Sequence, residues 1–395
     1  MNQSEIRDLK SKIRKVCVVV TARPSYSRIK SALCAIQKHP ALELQLVVAA
    51  SALLDRYGNT VQVIERDGFK IDERVYMVLE GENLVTSAKS TGLGIVELAT
   101  VFDNLKPDVV VTIADRHETI ATAIAAVYTN IPVAHVQGGE VTGSIDEKVR
   151  HAVTKLADLH FVSNTHAAER VIRMGEDPAS VYVTGCPSID LAAETLKNPA
   201  FDFDPFQKYG GVGGRFDYFQ DYLVVMQHPV TTEYEQARQH VTETLFAVHN
   251  SSLSTFWFWP NVDAGSDGTS RGIRAFREIE KPGKMHFFKN MTPEDFLKLI
   301  YHSRGIVGNS SVAIRECSFL GVPAVNVGTR QLGRERGRNV MDVGYDRHAI
   351  LRTIEKQLGN GRYPSEPLYG DGCAGEHIAD LLNCAPLTIE KRITY

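Results

Sequence analysis

The sequence lacks cysteine pairs at the CxxC spacing of zinc and redox sites, although six of its 395 residues are cysteine. We therefore expect free thiols in a reducing compartment and no bound metal. The sequence also lacks any apolar run approaching the roughly 18 residues of a membrane-spanning helix. Its first fifteen residues are charged and contain no apolar segment of a secretion signal, so we expect a cytoplasmic protein that binds no membrane.

A basic excess is missing as well. Lysine and arginine together number 44, against 47 aspartate and glutamate residues, which gives a formal net charge of −3. Nucleic-acid-binding domains usually carry a basic surplus, so no nucleic-acid partner is expected, and an anionic ligand must be held by local groups. The motifs GxxxxGK[ST] and HExxH are absent too, which disfavours a P-loop kinase and a zinc protease.

Apolar runs alternate with helical patterns along most of the chain. Residues 16–20, 108–113 and 221–227 are rich in β-branched and apolar side chains, which is typical of strands buried on both faces of a parallel sheet. Helical patterns, such as that of residues 84–104, separate these runs. The alternation predicts right-handed βαβ units, and the length predicts two domains. The predicted fold class is α/β, with two doubly wound Rossmann-type domains.

The alternation breaks between residues 193 and 220, a segment rich in glycine, proline and aromatic residues. We therefore place an N-terminal domain at 1–192 and a C-terminal domain at 193–374, with the tail 375–395 packing back on the first domain. The glycines at 210–214 do not follow a predicted strand, so they indicate a flexible connection rather than a phosphate loop. Ligands of such folds bind at the carboxyl ends of the strands, which predicts a site in the cleft between the domains.

Polar residues follow the predicted strands of the first domain. After the first strand comes RPSYS at 23–27, and a helix expected to begin near Ser27 would turn its free N–H groups, with Arg23, toward an anion. A helix N-cap beside a surface arginine explains the same residues equally well. Asp115 and Arg116 follow a later strand. For Asp115, capping of the next helix is the simpler interpretation.

A denser cluster follows the next strand. The motif HVQGGE at 135–140 contains Gln137, Glu140 and a glycine pair that lets backbone approach a ligand closely. Asp146 and Arg150 then stand at i,i+4 spacing on a predicted helix, as do Glu147 and the histidine that follows Arg150. A salt-bridged surface helix is the alternative, but so many ionisable groups around Gly-Gly favour a site.

The second domain has polar clusters at equivalent places. His228 follows the strand at 221–227 and is suited to acid–base work or phosphate binding, although a structural histidine is the alternative. Asn261 lies in a segment that an ordinary turn would also explain. The motif GNSS at 308–311 opens a predicted helix, whose amides and serine hydroxyls suit a diphosphate, with Glu316 able to accept from a ribose. Arg330 follows a further strand and adds a cation.

These motifs, in this order, resemble the UDP-N-acetylglucosamine 2-epimerase family, and in particular its hydrolysing branch in sialic acid synthesis. The resemblance covers about residues 15–372. The stretches that carry it are YGNT at 57–60, DR at 115–116, HVQGGEVTGSIDEKVRHAVTKLA at 135–157, GCPS at 185–188, QHPVTT at 227–232, PNVDAGS at 260–266, GNSS at 308–311 and GTRQLGRE at 328–335.

The resemblance implies a GT-B-like fold and assigns roles in the cleft. The residues that fall where the family binds the nucleotide are Arg23, Ser27, Arg116, Asn261, Ser310, Ser311, Glu316 and Arg330. Those that fall where its catalytic groups lie are Asp115, Asp146 and His228, with Arg150 also in the site. Many members carry a catalytic glutamate where this chain has Gln137, and an amide cannot remove a proton. A neighbour must then serve as base, with Glu140, Asp146 and Glu147 as candidates, or the substrate differs.

The implied activity converts UDP-N-acetylglucosamine and water to N-acetylmannosamine and UDP through 2-acetamidoglucal. This chemistry requires neither a cofactor nor a metal. The alternative substrate is a UDP- or GDP-linked 2,4-diacetamido sugar of legionaminic acid synthesis. Two rival classes are a GT-B glycosyltransferase, which needs an acceptor, and a non-catalytic sugar-nucleotide sensor. The family also implies a homo-oligomer, either a dimer or a tetramer.

Overall fold

Two parallel sheets, each covered by helices on both faces, form the protein. The computed structural model describes residues 13–55, 58–80, 84–113, 117–142, 146–260 and 265–394. Within these ranges the first sheet has seven strands: β1 (Arg14–Val20), β2 (Leu42–Ala49), β3 (Glu73–Val75), β4 (Val109–Ile113), β5 (Val133–Val136), β6 (Leu159–Val162) and β7 (Val181–Val183). They pair in parallel in the order β3-β2-β1-β4-β5-β6-β7. The order reverses at β1, where a doubly wound sheet opens a crevice for ligands.

Eight helices accompany this sheet in the described part of the chain. They are α1 (Arg23–Ser27), α2 (Lys30–Lys38), α3 (Thr60–Arg66), α4 (Leu84–Leu105), α5 (His117–Tyr128), α6 (Asp146–Leu156), α7 (Thr165–Arg173) and α8 (Pro187–Lys197). The prediction of a helix beginning near Ser27 was wrong, because Ser27 ends the short α1 and α2 begins at Lys30. Pro24 in the first turn of α1 explains this, since proline favours a helix start.

The second sheet also has seven strands in the described residues. They are β8 (Val212–Gly213), β9 (Tyr222–Met226), β10 (Ser254–Phe258), β11 (Met285–Phe288), β12 (Gly305–Gly308), β13 (Ala324–Val327) and β14 (Val340–Val343). The order is β14-β13-β12-β9-β10-β11-β8, and all neighbours are parallel except the edge strand β8, which is antiparallel to β11. The predicted class, two Rossmann-type α/β units in a GT-B-like fold, is thereby confirmed.

Seven further helices lie in the described remainder of the chain. They are α9 (Pro205–Tyr209), α10 (Ala237–Asn250), α11 (Ser266–Glu280), α12 (Pro293–His302), α13 (Glu316–Leu320), α14 (Arg347–Asn360) and α15 (Ala374–Cys384). The predicted helix over 310–320 is instead a 3-10 turn at Ser311–Ala313 followed by α13. No helix among the described residues is both long and apolar enough to cross a membrane.

The glycine cluster at 210–214 forms an edge strand rather than the flexible connection that we predicted. Gly213 pairs with His286 of β11 and has a φ of 122°, which favours glycine. A Cβ at Gly213 would lie 2.4 Å from the carbonyl oxygen of Met285, so the close approach of the two strands requires the missing side chain. Chain geometry, not a phosphate, therefore accounts for these glycines.

The chain crosses between the lobes twice, and the two crossings touch. The amide of Cys186 donates to the carbonyl of Tyr369 at 2.8 Å. The Asp190 carboxylate on α8 accepts from the amides of Ala374 and Gly375, at 2.9 and 2.7 Å, and so caps α15. Helix α15 buries apolar side chains such as Ile378 in the core of the first sheet. The domain boundaries at residues 192 and 374 themselves stay predictions.

A buried carboxylate fixes the segment after α15 to the first lobe. Glu176 is 2% exposed and pairs with Lys155 Nζ and Lys391 Nζ, each at 2.6 Å, and with His160 Nε2 at 3.0 Å. Burial alone would raise the pKa of Glu176, but hydrogen bonds from His160, Lys155 and Lys391 outweigh it and lower the pKa to about 2. The carboxylate therefore stays ionised in the folded protein at mildly acidic pH.

This pairing predicts a loss of stability in acid. Because the folded-state pKa of Glu176 lies below its unfolded value, its stabilisation is complete above the unfolded value and is lost as the pH falls toward 2. Glu176→Gln should unfold at lower urea concentration than the unmodified protein at pH 7, and the difference should shrink by pH 3. Glu194→Gln, which removes an exposed carboxylate paired with Lys197, is the control. An equal difference at both pH values would contradict the assignment.

Candidate active site

A cleft of about 1070 Å³, counting space open to solvent, lies between the two lobes. Most of the described residues predicted for the site line it. Those from the first lobe are Arg23, Ser27 and Asp146, and those from the second lobe are His228, Ser310, Ser311, Glu316 and Arg330. Asp115, Arg116 and Asn261 lie outside the described residues. Gln137, Glu140, Glu147 and Arg150 do not line the cleft but lie behind its wall.

These side chains lie at the edge of each sheet where its parallel strands end. Arg23 follows β1, His228 follows β9, Ser310 follows β12 and Arg330 follows β13, so each stands at the carboxyl end of its strand. Asp146 begins α6, which comes after β5. Since strand carboxyl ends of both sheets meet in the cleft, residues far apart in sequence share one cavity.

The loop after β12 is tightly fixed. Gly308 has a φ of 131°, and a Cβ there would lie 2.2 Å from the Met226 carbonyl oxygen, so only glycine allows this turn. Ser310 caps the following 3-10 turn by accepting from the Val312 amide at 3.4 Å. The predicted helix-terminal cradle is thus a short turn, with the two hydroxyls facing the cleft region.

Asn309 is a buried residue that sequence reasoning did not assign. Its Oδ1 accepts from the His228 amide at 2.7 Å, and its Nδ2 donates to the His228 carbonyl at 2.8 Å. Its own carbonyl accepts from Gln331 Nε2 at 2.9 Å and from Arg330 Nη1 at 3.4 Å. Asn309 therefore joins the three loops that carry His228, Ser310 and Arg330. The paired backbone contacts of an asparagine leave no signal in sequence spacing.

A buried ion cluster behind the cleft joins the lobes. Glu140, from the first lobe, lies 3.1 Å from Arg334 Nη2 and 3.4 Å from Arg315 Nη1, and all three side chains are at most 3% exposed. The other oxygen of Glu140 accepts from Ser163 Oγ at 3.0 Å. Burial would raise the pKa of Glu140, but Arg334, Arg315 and Arg150 outweigh it and hold the pKa below its usual value. A stabilised carboxylate of this kind is a weak proton acceptor.

The carboxylate of Glu147 is also held by contacts within the first lobe. It accepts from the Thr142 amide at 2.7 Å and from Arg150 Nη1 at 2.8 Å, and it contacts His151 Nε2 at 2.9 Å. Burial would raise its pKa, but these three partners outweigh that effect and lower it. Arg150 donates in addition to the Glu140 carbonyl at 2.8 Å. These contacts link Thr142, Glu147 and Arg150, close in sequence to Asp146, which lines the cleft together with Glu316.

Gln137 lies in the wall with an unusual backbone. Its φ is 68°, in the left-handed region that a side chain rarely adopts, and the residue is buried. Its Nε2 donates to Cys186 Sγ at 2.7 Å, and its Oε1 accepts from Arg315 Nη1 at 3.5 Å. The amide thus contacts the buried cluster, and strain of this kind is common near functional sites.

The lobes are in contact across the mouth of the cleft. Arg23 Nη1 donates to Asn290 Oδ1 at 2.9 Å, and Lys30 Nζ lies 2.6 Å from Glu294 Oε1. Deeper in, Arg28 Nη2 donates to Ser311 Oγ at 3.2 Å. Sequence reasoning missed Arg28 and Asn290, because their partners are more than 230 residues away. The structure therefore describes a closed arrangement with several arginines around Ser311.

The cleft has two chemically different walls. One wall is cationic and hydroxylated, with arginines 23, 28 and 330 beside Ser310 and Ser311. The other wall is apolar and includes Met226, Phe258, Met291, Phe296 and Leu297. A diphosphate fits the first wall, since guanidinium and hydroxyl groups donate to phosphate oxygens, and a flat base or sugar face fits the second.

The two Rossmann-type lobes and the cleft between them place the protein in the GT-B-like class of α/β proteins. A family profile described as UDP-N-acetylglucosamine 2-epimerase matches residues 34–383. The chain belongs to the UDP-N-acetylglucosamine 2-epimerase family.

Full-length relatives and solved structures agree with this assignment. The chain is 32% identical over 376 residues to the UDP-N,N'-diacetylbacillosamine 2-epimerase (hydrolyzing) of Legionella pneumophila, covering 95% of this chain and 97% of that protein. It is 28% identical to a UDP-N-acetylglucosamine 2-epimerase of Neisseria meningitidis, covering 94% and 95%. The crystal structure of UDP-GlcNAc 2-epimerase from Neisseria meningitidis bound to UDP-GlcNAc superposes with a TM-score of 0.77 at 19% identity, covering 93% and 99%. At 19% identity the superposition shows a shared fold and nothing further.

Proposed function

We propose that the protein is a hydrolysing 2-epimerase that converts UDP-N-acetylglucosamine and water to N-acetylmannosamine and UDP for sialic acid-type sugar synthesis. The observation that carries the proposal is that Asp146 of one lobe shares a cleft with Ser311 and Arg330 of the other. A carboxylate facing a cationic, hydroxylated wall suits removal of a proton coupled to departure of a diphosphate. Glu316, in the same cleft, is suited to accept from the ribose.

The proposed reaction has two steps. In the first, a base removes the C2 proton, the C–H electron pair forms the C1–C2 double bond, and the C1–O bond breaks with its electrons leaving on UDP. Arg23 and Arg330 stabilise the charge on the departing diphosphate. In the second, water adds its oxygen to C1 of the 2-acetamidoglucal, and C2 receives a proton on the opposite face. No redox cofactor takes part.

Asp146 is the described carboxylate that best suits the base. Glu140 is buried and Glu147 is partly buried, both form ion pairs that favour their ionised forms, and neither lines the cleft. Asn309 binds both the backbone N–H and the backbone C=O of His228, and the histidine held in this way is suited to exchange a proton in the other step. We propose Asp115 as a further acid or base. Gln137, Glu140, Glu147 and Arg150 then serve as the framework that positions Asp146.

Turnover in deuterium oxide tests the proposal. Purified protein incubated with UDP-N-acetylglucosamine alone should release UDP and free N-acetylmannosamine that carries deuterium at C2, followed by proton NMR. Product with a protium at C2 would contradict elimination. Binding without change would indicate a sensor, and a requirement for an added acceptor would indicate a glycosyltransferase. Boiled protein is the control for spontaneous hydrolysis.

A 2,4-diacetamido sugar nucleotide is the second candidate substrate. The similarity to the Legionella pneumophila enzyme over nearly the whole chain supports it, as does the amide at Gln137. The same NMR assay run with UDP-N,N'-diacetylbacillosamine and its GDP counterpart compares kcat/KM between the substrates, and the larger value identifies the preferred one.

We also propose that the protein works in the cytoplasm as a homodimer or homotetramer. Large apolar side chains on the first lobe support self-association: Val96 on α4 is 65% exposed and Tyr128 at the end of α5 is 86% exposed. Large apolar side chains exposed on helices are typical of subunit contacts.

A further inference from the structure

A second, smaller cavity of about 260 Å³, counting the space open to solvent, adjoins the main cleft. The two cavities share four lining residues, among them Asp146 and Ser311. Thr142, Gln331 and Arg334 line the smaller one alone. The proposed base therefore stands where the main cleft meets this side chamber.

Two buried polar atoms at this chamber have no hydrogen-bond partner among the described residues. They are Gln331 Oε1, an acceptor, and Arg334 Nη1, a donor. Their side chains are 1% and 3% exposed. Leaving such groups unsatisfied costs free energy, so each calls for an explanation such as a ligand.

The rest of each side chain is fixed by other contacts. Gln331 Nε2 donates to the Asn309 carbonyl at 2.9 Å, which assigns the free position of the amide to its oxygen. Arg334 uses Nη2 on Glu140 at 3.1 Å and Nε on the Val141 carbonyl at 3.3 Å. One acceptor and one donor on the same loop, three residues apart, thus have no hydrogen-bond partner among the described residues.

We propose that this chamber recognises the acetamido group on C2 of the sugar. A secondary amide offers one carbonyl oxygen and one N–H, which match Arg334 Nη1 and Gln331 Oε1 in number and kind. The inference rests on the proposed function, in which Asp146 acts on the proton of the same carbon, and Asp146 lines the same chamber.

An anion is the less suitable occupant. The unsatisfied carbonyl oxygen of Gln331 would repel a phosphate oxygen, and Arg334 already pairs with Glu140. A neutral amide satisfies both groups without adding charge to a buried site. Gln331 and Arg334 are therefore specificity residues that distinguish a 2-acetamido sugar from one with a 2-hydroxyl.

Calorimetric binding of UDP-N-acetylglucosamine, UDP-glucose and UDP tests this, with Asp146→Asn as the parent protein so that the substrate is not consumed during the titration. This parent should bind the acetamido sugar nucleotide more tightly than UDP-glucose. Arg334→Lys keeps a cation for Glu140 but loses the second donor, and Gln331→Leu removes the acceptor together with the Nε2 contact to the Asn309 carbonyl. Each should reduce the ratio of the two sugar-nucleotide affinities about tenfold, whatever its effect on UDP, as expected for the loss of one buried hydrogen bond.

Arg338→Lys is the matched control, because Arg338 lies on the same loop, is exposed and pairs with Glu366. It should leave the preference unchanged. Equal weakening of UDP and of both sugar nucleotides would mean an anion site or a purely structural role, and an unchanged preference in both variants would also overturn the proposal. Because binding is measured without turnover, this result is separate from the deuterium experiment that tests the reaction.

Discussion

Asp146→Asn should lower kcat for UDP release about 10²- to 10⁴-fold, the usual contribution of a positioned acid or base. Asparagine keeps the size of the side chain and is equally accepted near the start of a helix, so α6 should form as before. What it loses is the capacity to take a proton. KM should change little, because Ser311 and Arg330, which we propose bind the diphosphate, remain.

The measurement is steady-state release of UDP, with exchange of the C2 proton followed in parallel. Asp346→Asn makes the same substitution at the N-cap of α14, where the exposed side chain accepts from the Ala349 amide. This control should keep full activity. If Asp146→Asn stayed within threefold of the unmodified protein, Asp146 would not be the base, and Asp115 would take its place as the leading candidate.

Glu140→Gln should destabilise the protein by about 3–5 kcal/mol, the range found when one partner of a buried ion pair is removed. Arg315 and Arg334 would be left in the interior with less compensating charge. Because Arg315 Nη2 also donates to Ser311 Oγ at 2.9 Å, the loss should extend to the wall that faces the diphosphate. Affinity for UDP should therefore fall together with stability.

Urea unfolding at pH 7 measures the first effect and calorimetric titration with UDP measures the second. Glu65→Gln is the matched control, since Glu65 forms an ion pair with Arg74 at 2.5 Å on the exposed surface. Exposed pairs contribute about 0–1 kcal/mol, so this variant should barely shift the urea midpoint. A midpoint for Glu140→Gln equal to that of the control would show that the buried cluster contributes nothing to the joining of the lobes.

Local sequence patterns predicted the inner strands of both sheets, because buried parallel strands are continuous apolar runs. The four edge strands β3, β7, β8 and β14 were not predicted. Position at strand ends then predicted which polar residues share the cleft. Of these, Arg23, Asp146, His228 and Ser310 line it. Helix α14 was not predicted, although Ile350 and Ile354 stand at i,i+4 spacing and are both buried. That spacing is the signal that would have found it.

The buried cluster could not be predicted in the same way. Glu140 and Arg315 are 175 residues apart, and nothing in their neighbourhoods distinguishes a pair that meets in the interior from surface charges. Sequence position suggested Glu140 as a proton acceptor, whereas the structure surrounds it with arginines. Similarly, Gly213 is explained only once β8 is known to lie against β11, because the close contact arises between segments distant in the chain.

The return of α15 to the first sheet has a consequence for how the protein is made. Ile378 and Leu382 belong to the same apolar core as Val18 and Leu46 of the first two strands. Residues 374–384 leave the ribosome only after the whole second lobe has been synthesised. The core of the first lobe is therefore incomplete until residues 374–384 have emerged, so this lobe can complete its folding only after the second lobe has been synthesised.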